Sequence, residues 1–393
     1  MPERRAAPLG GKEALVLGAG VAGLAVATAL CRFGARVDVF EQAPEITEVG
    51  AGLQISPNGV RVLKALGVDL NAAGDRSEAV ELRDRSGRLV TRLDLPAEPG
   101  FLLCHRADLI AALEHAMRDS GARVQLLQRV DEIVLSDTGA MVSTAVQAHR
   151  ETPLLIGADG LHSRLRPLLD GAAEPFFTGQ VAWRALIPGD GGAPVAQVFM
   201  GPGRHLVSYP LRGGALRNIV AVQERSTWAA EGWNHRDDPD TLRDVFAGFG
   251  GPVPGWLAQI RDVFLWGLFR HPVAHRWADD HGRAALVGDA AHPTLPFMAQ
   301  GANMALEDAW TLAAQLARQP DDVTTALRHY EALRRPRAQA LIAAANANAR
   351  NYHLREPMAS VAHGMLRLGS RIAPSAALNR YRWIYDFDPV AAS

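Results

Sequence analysis

Three glycines, Gly18, Gly20 and Gly23, have the spacing Gly-x-Gly-x-x-Gly, and these are residue types that bind a phosphate. Glycine permits a tight turn and lets backbone N–H groups come close to an anion such as a pyrophosphate. Further along the chain, Glu41 supplies a carboxylate that can accept hydrogen bonds from ribose hydroxyls. The four residues together predict a dinucleotide site, although they do not distinguish FAD from NAD.

The elements around these residues must place the glycines at the start of a helix. Residues 14–17 form a short apolar run that is typical of a buried strand, and an Ala- and Leu-rich helix follows the glycines. Residues 36–40 predict a second strand that ends at Glu41. This is a βαβ unit with an anion site at the N-terminus of its helix. The alternative is a packing contact between strand and helix that only happens to contain glycine.

Two more strand–turn–helix patterns carry acids. Asp159 lies in the turn Gly157-Ala-Asp159-Gly160, and Asp289 follows Gly288, with Pro293 a few residues later. Either aspartate could instead only cap its turn. Arg106 opens a predicted amphipathic helix, where it could reach a phosphate or ribose or could be an exposed arginine.

A polar, glycine-rich loop at 50–58 precedes a helix predicted at 58–66. Its glycines suit a backbone that lies close to a flat ring. The alternative is a plain loop capped by Ser56 or Asn58.

Composition excludes several classes of protein. The 393-residue chain can bury a large core, and its formal net charge of −1 does not indicate a nucleic-acid partner. Its two cysteines, Cys31 and Cys104, are too few for a disulfide framework or a zinc site, so we expect no metal. The uncharged stretch 14–30 resembles a signal peptide, but it contains the phosphate-binding glycines. We therefore predict a cytoplasmic protein with no membrane segment.

Residues 180–223 alternate polar and apolar side chains between Gly/Pro turns, which predicts an antiparallel sheet, and 78–95 predicts a hairpin. We predict an α/β fold: a Rossmann-like domain with a parallel sheet, an antiparallel substrate lobe, and C-terminal helices. The boundaries are 12–75, 100–175 and 276–320 for the first domain, 76–99 and 176–275 for the lobe, and 321–393 for the helical segment. We also expect a small meander at 124–146, a kink or break at Pro336, and a strand-like tail around Trp383, Tyr385 and Phe387.

The three glycine- and aspartate-bearing motifs occur in one order: 18–23 with Glu41, 157–166, and 288–293. They resemble the three fingerprints of the single-component FAD-dependent aromatic hydroxylases, the family of 4-hydroxybenzoate, salicylate and 3-hydroxybenzoate hydroxylases. The resemblance covers almost the whole chain and implies that the dinucleotide is FAD, bound tightly but not covalently.

The resemblance also implies roles for the residues in these motifs. Gly18, Gly20 and Gly23 would lie at the FAD pyrophosphate, Glu41 at the adenosine ribose, and Arg106 beside the phosphates or ribose. Asp159 would border both the pyrophosphate and the entering NAD(P)H.

The third motif and the helix after it would contact the rest of the cofactor. Asp289 would bind the ribityl chain or the neighbouring phosphate, and Pro293 would abut the isoalloxazine. The helix start at Gly301, Ala302 and Asn303 would point at the flavin pyrimidine edge, where its partial positive charge favours the anionic reduced flavin. This chain has Ala299 where the family often has glycine, and Gln42 where a basic residue is common.

The strand around His205 and Tyr209 resembles the substrate strand of 3-hydroxybenzoate 6-hydroxylases, and alternation puts both side chains on one face. The resemblance implies that His205, Tyr209 and Gln300 contact the phenol, which reacts faster as phenolate when a proton acceptor is near. The alternative for His205 is a sheet histidine with a satisfied hydrogen bond. His292 is interpreted as structural.

The resemblance thus implies an FAD-dependent monooxygenase that uses NADH or NADPH, with NADH favoured, and O2. It would hydroxylate a small phenolic aromatic such as a hydroxybenzoate through a flavin C4a-hydroperoxide. NAD(P)H would bind transiently, because no second glycine motif follows a strand, and the protein would be a monomer or homodimer. Two alternatives stay open: a tailoring hydroxylase of a larger polycyclic or heteroaromatic substrate, and a flavin-fold binding protein without oxygenase activity.

Overall fold

A computed structural model describes residues 7–46, 52–147, 149–225, 227, 235–372 and 376–393. A five-stranded parallel sheet lies at the centre of the largest hydrophobic core. Its strands are, in spatial order, Ala284–Leu286, Leu155–Gly157, Glu13–Leu17, Arg36–Phe40 and Arg123–Gln125. The strand–helix–strand unit predicted around the glycines is confirmed, with Val21–Arg32 as its helix.

The three predicted motifs all follow strands of this sheet. Parallel strands present their carboxyl ends at one edge, so the loops after Leu17, Gly157 and Leu286 are neighbours. The helices Val21–Arg32, Arg106–Asp119 and Gly301–Arg318 pack together beside the sheet. The amphipathic helix predicted after His105 is therefore confirmed.

An eight-stranded sheet forms a second layer. Its order is Arg236–Asp237, Val263–Arg270, Phe176–Pro188, Leu216–Glu224, Arg204–Leu211, Val195–Gly201, Ala79–Arg83 and Leu89–Asp94. The predicted antiparallel sheet and the 78–95 hairpin are both present. One face is covered by helices Pro239–Phe246 and Val253–Ala258, whereas the other contacts the 295–297 loop. The predicted domain boundaries stay a prediction.

The remaining described strands form two three-stranded sheets. One combines Val130–Ser136, Gly139–Thr144 and Arg150–Thr152, and the other combines Gly52–Ile55, Asp75–Arg76 and Leu102–His105. The meander prediction was wrong at its start, because Arg123–Gln125 extends the parallel sheet instead. The loop predicted at 50–58 contains the strand Gly52–Ile55 and leads into helix Pro57–Ala65, while residues 47–51 lie outside the described residues.

The C-terminal segment is helical, as predicted. It contains Val323–Tyr352, Met358–Ile372, Ala376–Asn379, Arg382–Tyr385 and Pro389–Ala392. Pro336 lies inside the first of these without dividing it. The strand-like tail was wrong: in the short helix Arg382–Tyr385, Ile384 is buried and Trp383 is exposed. A few alternating residues are too short a pattern to separate strand from helix.

Short helices occupy several connections: Leu70–Ala73 and Arg166–Asp170, with 3-10 turns at Gly160–His162, Gly288–Ala290 and Pro296–Met298. Among the described residues, no helix combines the length and apolar character that crossing a membrane requires.

Candidate active site

The glycine loop has the geometry that its sequence predicts. Gly18 has a positive φ of 95°, and a Cβ there would lie 2.6 Å from the Ala158 carbonyl oxygen. A Cβ on Gly23 would lie 1.8 Å from the Gly18 oxygen, so a side chain would separate the loop from its helix. A Cβ on Gly20 would meet nothing within 4 Å. Helix Val21–Arg32 begins there without a side-chain cap, which leaves its first N–H groups open to an anion.

Glu41 is held beside this loop. One of its carboxylate oxygens accepts a hydrogen bond from the Ala19 N–H, and the other accepts one from the Ala43 N–H, both at 2.8 Å. The carboxylate therefore lies at the mouth of the glycine turn. Its remaining lone pairs can accept from ribose hydroxyls.

One carboxylate oxygen of Asp159 is a buried acceptor without a hydrogen bond among the described residues. Its Oδ2 accepts a hydrogen bond from the Arg164 N–H at 2.7 Å, whereas its buried Oδ1 has no hydrogen-bond partner among the described residues. Burial raises the pKa of Asp159. A buried acceptor without a donor is costly, and a ligand hydroxyl would satisfy it.

Asp289 lies at the bottom of a cleft. Surrounding protein raises the pKa of this carboxyl, against the opposing effects of His292 and Arg106, yet its side chain is open to solvent. The turn Gly288–Ala290 packs against the turn Gly160–His162, so the Asp159 and Asp289 motifs meet. Arg106 is enclosed by protein, and burial lowers its pKa while Asp289 raises it.

The start of helix Gly301–Arg318 is also open. It has no acidic residue in its first turn and no side-chain cap. Ala299, just before it, has φ 52°, a left-handed conformation that costs about 1–2 kcal/mol in a residue with a Cβ. The family's glycine would adopt this conformation without that cost. The Asn303 side chain holds the loop, because it accepts from Ser56 N–H and donates to the Ala299 and Gln54 carbonyls.

Gln300 belongs to a buried polar network. Its Nε2 donates to Ser56 Oγ at 3.0 Å, and its Oε1 accepts from Asn58 Nδ2 at 3.2 Å. Asn58 also donates to Glu307. The Gln300 amide is thus engaged with the 56–58 segment, whereas no hydrogen bond joins it to His205 or Tyr209 among the described residues. Pro293, Gly301 and Ala302 are half-buried beside it.

A buried ion network behind this loop was missed by the sequence analysis. Arg334 pairs with Glu307 and Asp308, and Arg337 also pairs with Glu307. Asp308 accepts from the Gly288 N–H at 3.0 Å and contacts His292 Nε2. Burial would raise the pKa of Asp308, but His292 and Arg334 together lower it to about 2. Two adjacent acids on the buried face of a helix were the available signal.

The eight-stranded sheet brings His205 and Tyr209 to the face that meets the 295–297 loop. His205 pairs in register with Val222 and lies with its ring centroid 6.0 Å from that of Phe297. Burial lowers the pKa of His205 well below the ordinary value. Tyr209 is also buried, which raises the pKa of its phenol. Both side chains therefore line the side of the sheet that faces the cleft.

Arg184, another residue missed from sequence, lies on this face. Arg184 pairs in register with Val220 on the neighbouring strand, and Val220 pairs in turn with Val207. Val207 lies between His205 and Tyr209 on the same face of their strand. The Arg184 guanidinium lies 5.3 Å from the Trp266 ring centroid. Burial, with a smaller effect of Arg106, lowers the pKa of Arg184 to about 10, so it stays charged at neutral pH.

The arrangement fits an extended dinucleotide with a ring at one end. Two uncapped helix N-termini, a glycine cradle, a buried acceptor at Asp159 and a solvent-open carboxyl at Asp289 surround one cleft. Within the described part of the chain, no group of three or more His, Cys, Asp or Glu side chains could hold a metal ion.

Comparisons with known proteins identify the family of the chain. The profile of a family described as FAD binding domain matches residues 12–345. The chain is 37% identical over 361 residues to a 3-amino-4-hydroxybenzoate 2-monooxygenase of Streptomyces cremeus, covering 86% of this chain and 87% of that protein. It is 34% identical over 368 residues to a 3-hydroxybenzoate 6-hydroxylase of Klebsiella oxytoca, covering 87% and 89%.

A solved structure has the same fold. Klebsiella pneumoniae HpxO complexed with FAD and uric acid superposes with a TM-score of 0.80 at 30% identity, covering 93% of this chain and 95% of that one. The resemblance expected from the three motifs is confirmed. The chain belongs to the family of single-component FAD-dependent aromatic hydroxylases, and its cofactor is FAD.

Proposed function

We propose that this enzyme hydroxylates a small phenolic carboxylate, of the hydroxybenzoate or aminohydroxybenzoate class, using NADH or NADPH and O2. Relatives named for 3-amino-4-hydroxybenzoate and 3-hydroxybenzoate support this substrate class. The observation that carries the proposal is a neutral buried histidine and a charged buried arginine on one face of the sheet. These are the two groups that a ring with a phenol and a carboxylate requires.

Strand register estimates the spacing between these two groups. His205 and Arg184 lie two strands apart and two residues out of register, which corresponds to roughly 12 Å between their Cα atoms. Both side chains leave the sheet on the same side. In the proposed complex an aromatic ring lies between them, with a polar substituent toward each.

His205 would accept the phenol proton. A neutral imidazole near the phenol raises the fraction of phenolate, which is the form that attacks an electrophilic oxygen. Tyr209 would hold the substrate from the same strand, and Gln300 would reach the ring from the loop if its amide left Ser56. Arg184 would form a charge-assisted hydrogen bond with the carboxylate.

The residues that would hold FAD are those that line the cleft. When bound, FAD would supply the redox chemistry, namely acceptance of a hydride from NAD(P)H and activation of O2 for transfer of one oxygen atom to the ring. Gly18, Gly20 and Gly23 would leave room for the pyrophosphate, and Glu41 would accept from the ribose. Arg106 would balance the phosphate charge.

The remaining cofactor contacts lie on the other two motifs. Asp159 and Asp289 would accept hydrogen bonds from hydroxyls or neighbouring donors. Pro293 would lie against the ring, and the backbone of Gly301, Ala302 and Asn303 would face the pyrimidine edge.

A screen of the holoenzyme tests the proposal. We expect NADH- or NADPH-dependent O2 consumption, with a hydroxylated product identified by mass spectrometry, for at least one of 2-, 3- and 4-hydroxybenzoate and 3-amino-4-hydroxybenzoate. Benzoate, which lacks the hydroxyl, and phenol, which lacks the carboxylate, are the matched controls and should give little product. Equal hydroxylation of phenol, or turnover only with polycyclic aromatics, would contradict a phenolic carboxylate.

A further inference from the structure

A row of three hydrogen-bonded side chains leads from the buried His205 to the protein surface. His205 Nδ1 lies 2.7 Å from His353 Nε2, and His353 Nδ1 lies 2.9 Å from Glu224 Oε1. Both imidazoles are buried, whereas the Glu224 side chain is 44% exposed. Of these three side chains, only Glu224 is a carboxylate, and it lies at the solvent end of the row.

The hydrogen bonds assign the tautomers of both rings. An ionised carboxylate only accepts hydrogen bonds, so His353 must carry its proton on Nδ1. Burial, opposed by Glu224, lowers the pKa of His353, and a neutral ring then offers Nε2 as an acceptor. His205 donates to it from Nδ1 and keeps Nε2 as the free base. No other hydrogen bond to the His205 ring is formed among the residues that the structure describes.

The backbone fixes the chain at its outer end. The Gly203 N–H donates to the His353 carbonyl, and the Glu224 N–H donates to the Gly203 carbonyl at 2.8 Å. Gly203 has φ 64°, and a Cβ there would lie 3.3 Å from Glu224 Oε2. A glycine at this position thus leaves space for the carboxylate beside His353.

We propose that His353 and Glu224 form a relay that carries the proton taken by His205 from the substrate phenol to bulk water. The proposal rests on the function proposed above, because it needs a phenol at His205 Nε2. His353 and Glu224 act through His205 and do not touch the substrate themselves.

The transfer balances without any further reactant. The phenol O–H proton goes to His205 Nε2, the His205 Nδ1 proton goes to His353 Nε2, and the His353 Nδ1 proton goes to Glu224 and then to water. The phenol becomes phenolate, and each ring ends in the opposite tautomer. The reverse transfer returns a proton to the hydroxylated product and restores both rings.

Two described groups beside the relay are poor proton acceptors. Tyr352 lies with its ring centroid 5.2 Å from that of His205, and burial raises the pKa of its phenol, so it stays protonated. Arg355 Nη2 lies 4.0 Å from Glu224 Oε2, and a guanidinium donates hydrogen bonds but does not accept them.

Histidine tautomers in the holoenzyme test the relay without turnover. In protein labelled with ¹⁵N-histidine, we expect both His205 and His353 to carry the proton on Nδ1. Glu224→Lys replaces the acceptor with a donor, so both rings should change to Nε2–H, although His205 does not touch residue 224. Glu356→Lys, an exposed charge reversal nearby, is the matched control and should change neither ring. Nε2–H at His205 in the native enzyme, or a His205 tautomer that ignores Glu224→Lys, would overturn the relay.

Proton release measures the transfer itself. We expect the native holoenzyme, mixed with 3-hydroxybenzoate or 4-hydroxybenzoate in weak buffer containing a pH indicator, to release a proton rapidly as the phenol ionises. Glu224→Gln and His353→Gln should slow this release roughly 100-fold, while flavin reduction by NADH keeps its rate. Glu224→Asp should restore most of the release rate. If neither acid binds, the proposed substrate class fails, and the tautomer measurement still decides the relay.

Discussion

Burial prepares His205 and Arg184 for opposite tasks. Desolvation disfavours a charged imidazole, so it keeps His205 neutral and able to accept a proton. The same effect on Arg184 leaves a pKa of about 10, which is high enough for a permanent positive charge near neutral pH. One sheet face thus presents a base and a cation.

At this scale, His205→Ala should slow hydroxylation roughly 100-fold or more, because it removes the proton acceptor. Flavin reduction by NADH should change little, since His205 is not needed for hydride transfer. Single-turnover stopped-flow measurements separate the two steps. Ser208→Ala, on the opposite face of the same strand, is the control, and an equal loss in both steps for His205→Ala would argue against the assigned role.

Arg184→Gln should weaken binding of hydroxybenzoates by about 10- to 100-fold, because a charge-assisted hydrogen bond contributes about 1.5–3 kcal/mol. The dissociation constant can be measured from the change in flavin absorbance. Binding of phenol, which has no carboxylate, should be affected much less. If phenol binding falls equally, Arg184 acts on the site as a whole and not on the carboxylate.

At the scale of secondary-structure elements, buried ion pairs of Arg334 join two helices in the protein interior. Arg334 is buried on helix Val323–Tyr352 and pairs with Glu307 and Asp308 on helix Gly301–Arg318. Arg334→Met should lower the free energy of unfolding by about 3–5 kcal/mol, because two buried carboxylates would each lose one of their positively charged partners. Urea unfolding measures this, with the exposed Arg328→Met on the same helix expected within about 0.5 kcal/mol of native.

The same network predicts an acid limit to stability. The pKa of Asp308 is about 2 in the folded protein against 3.8 ordinarily, so its stabilisation is present above about pH 4 and is lost as the pH falls toward 2. Urea midpoints between pH 5 and 2 should therefore fall steeply in the native protein. In Arg334→Met the fall should be shallower, and identical slopes would contradict this account.

Patterns within one element were predictable from sequence, whereas contacts between elements were not. The helix after His105 and the strand of His205 follow from hydrophobic period alone. Residues 123–125 were assigned to the wrong sheet because a three-residue strand does not encode its partner. Helix Val323–Tyr352 continues through Pro336, with Arg334 and Arg337 on either side anchored to Glu307, which no local propensity reveals.

In the candidate site, too, residues within a local motif were predictable from sequence and residues brought together by the fold were not. The residues proposed to bind the cofactor lie in ordered motifs that local spacing shows, but Arg184 and Asp308 have no motif around them. His205 and His353 are 148 positions apart in the chain, so only the fold brings them together. Their hydrogen bond could not be read from any spacing rule.

In the whole molecule, the cleft lies where the two layers meet. The Gly52 N–H donates to Asn218 Oδ1 at 2.9 Å, and Tyr209 of the eight-stranded sheet packs on Leu103. FAD would touch both layers, so its removal should destabilise the protein as a unit. At a free FAD concentration 100 times its dissociation constant, the expected stabilisation is about 2.7 kcal/mol.

Thermal unfolding of apoprotein across a series of FAD concentrations checks this expectation. The midpoint should rise with FAD and rise much less with riboflavin, which lacks the pyrophosphate and adenosine that we propose the glycine loop to bind. Equal effects of the two compounds would show that the glycine loop contributes little to binding.

The long helix Val323–Tyr352 sets the distance between Arg334 and His353 in addition to carrying the Arg334 ion pairs. Arg334 lies within the helix and pairs with Asp308, whereas His353 directly follows the last residue of the helix. The helix therefore determines how far His353, which contacts His205, lies from the ion network. Each residue added between them would shift His353 by about 1.5 Å and rotate it by about 100°. Single-residue insertions here should be excluded from natural variants, although exposed loops nearby would accept them.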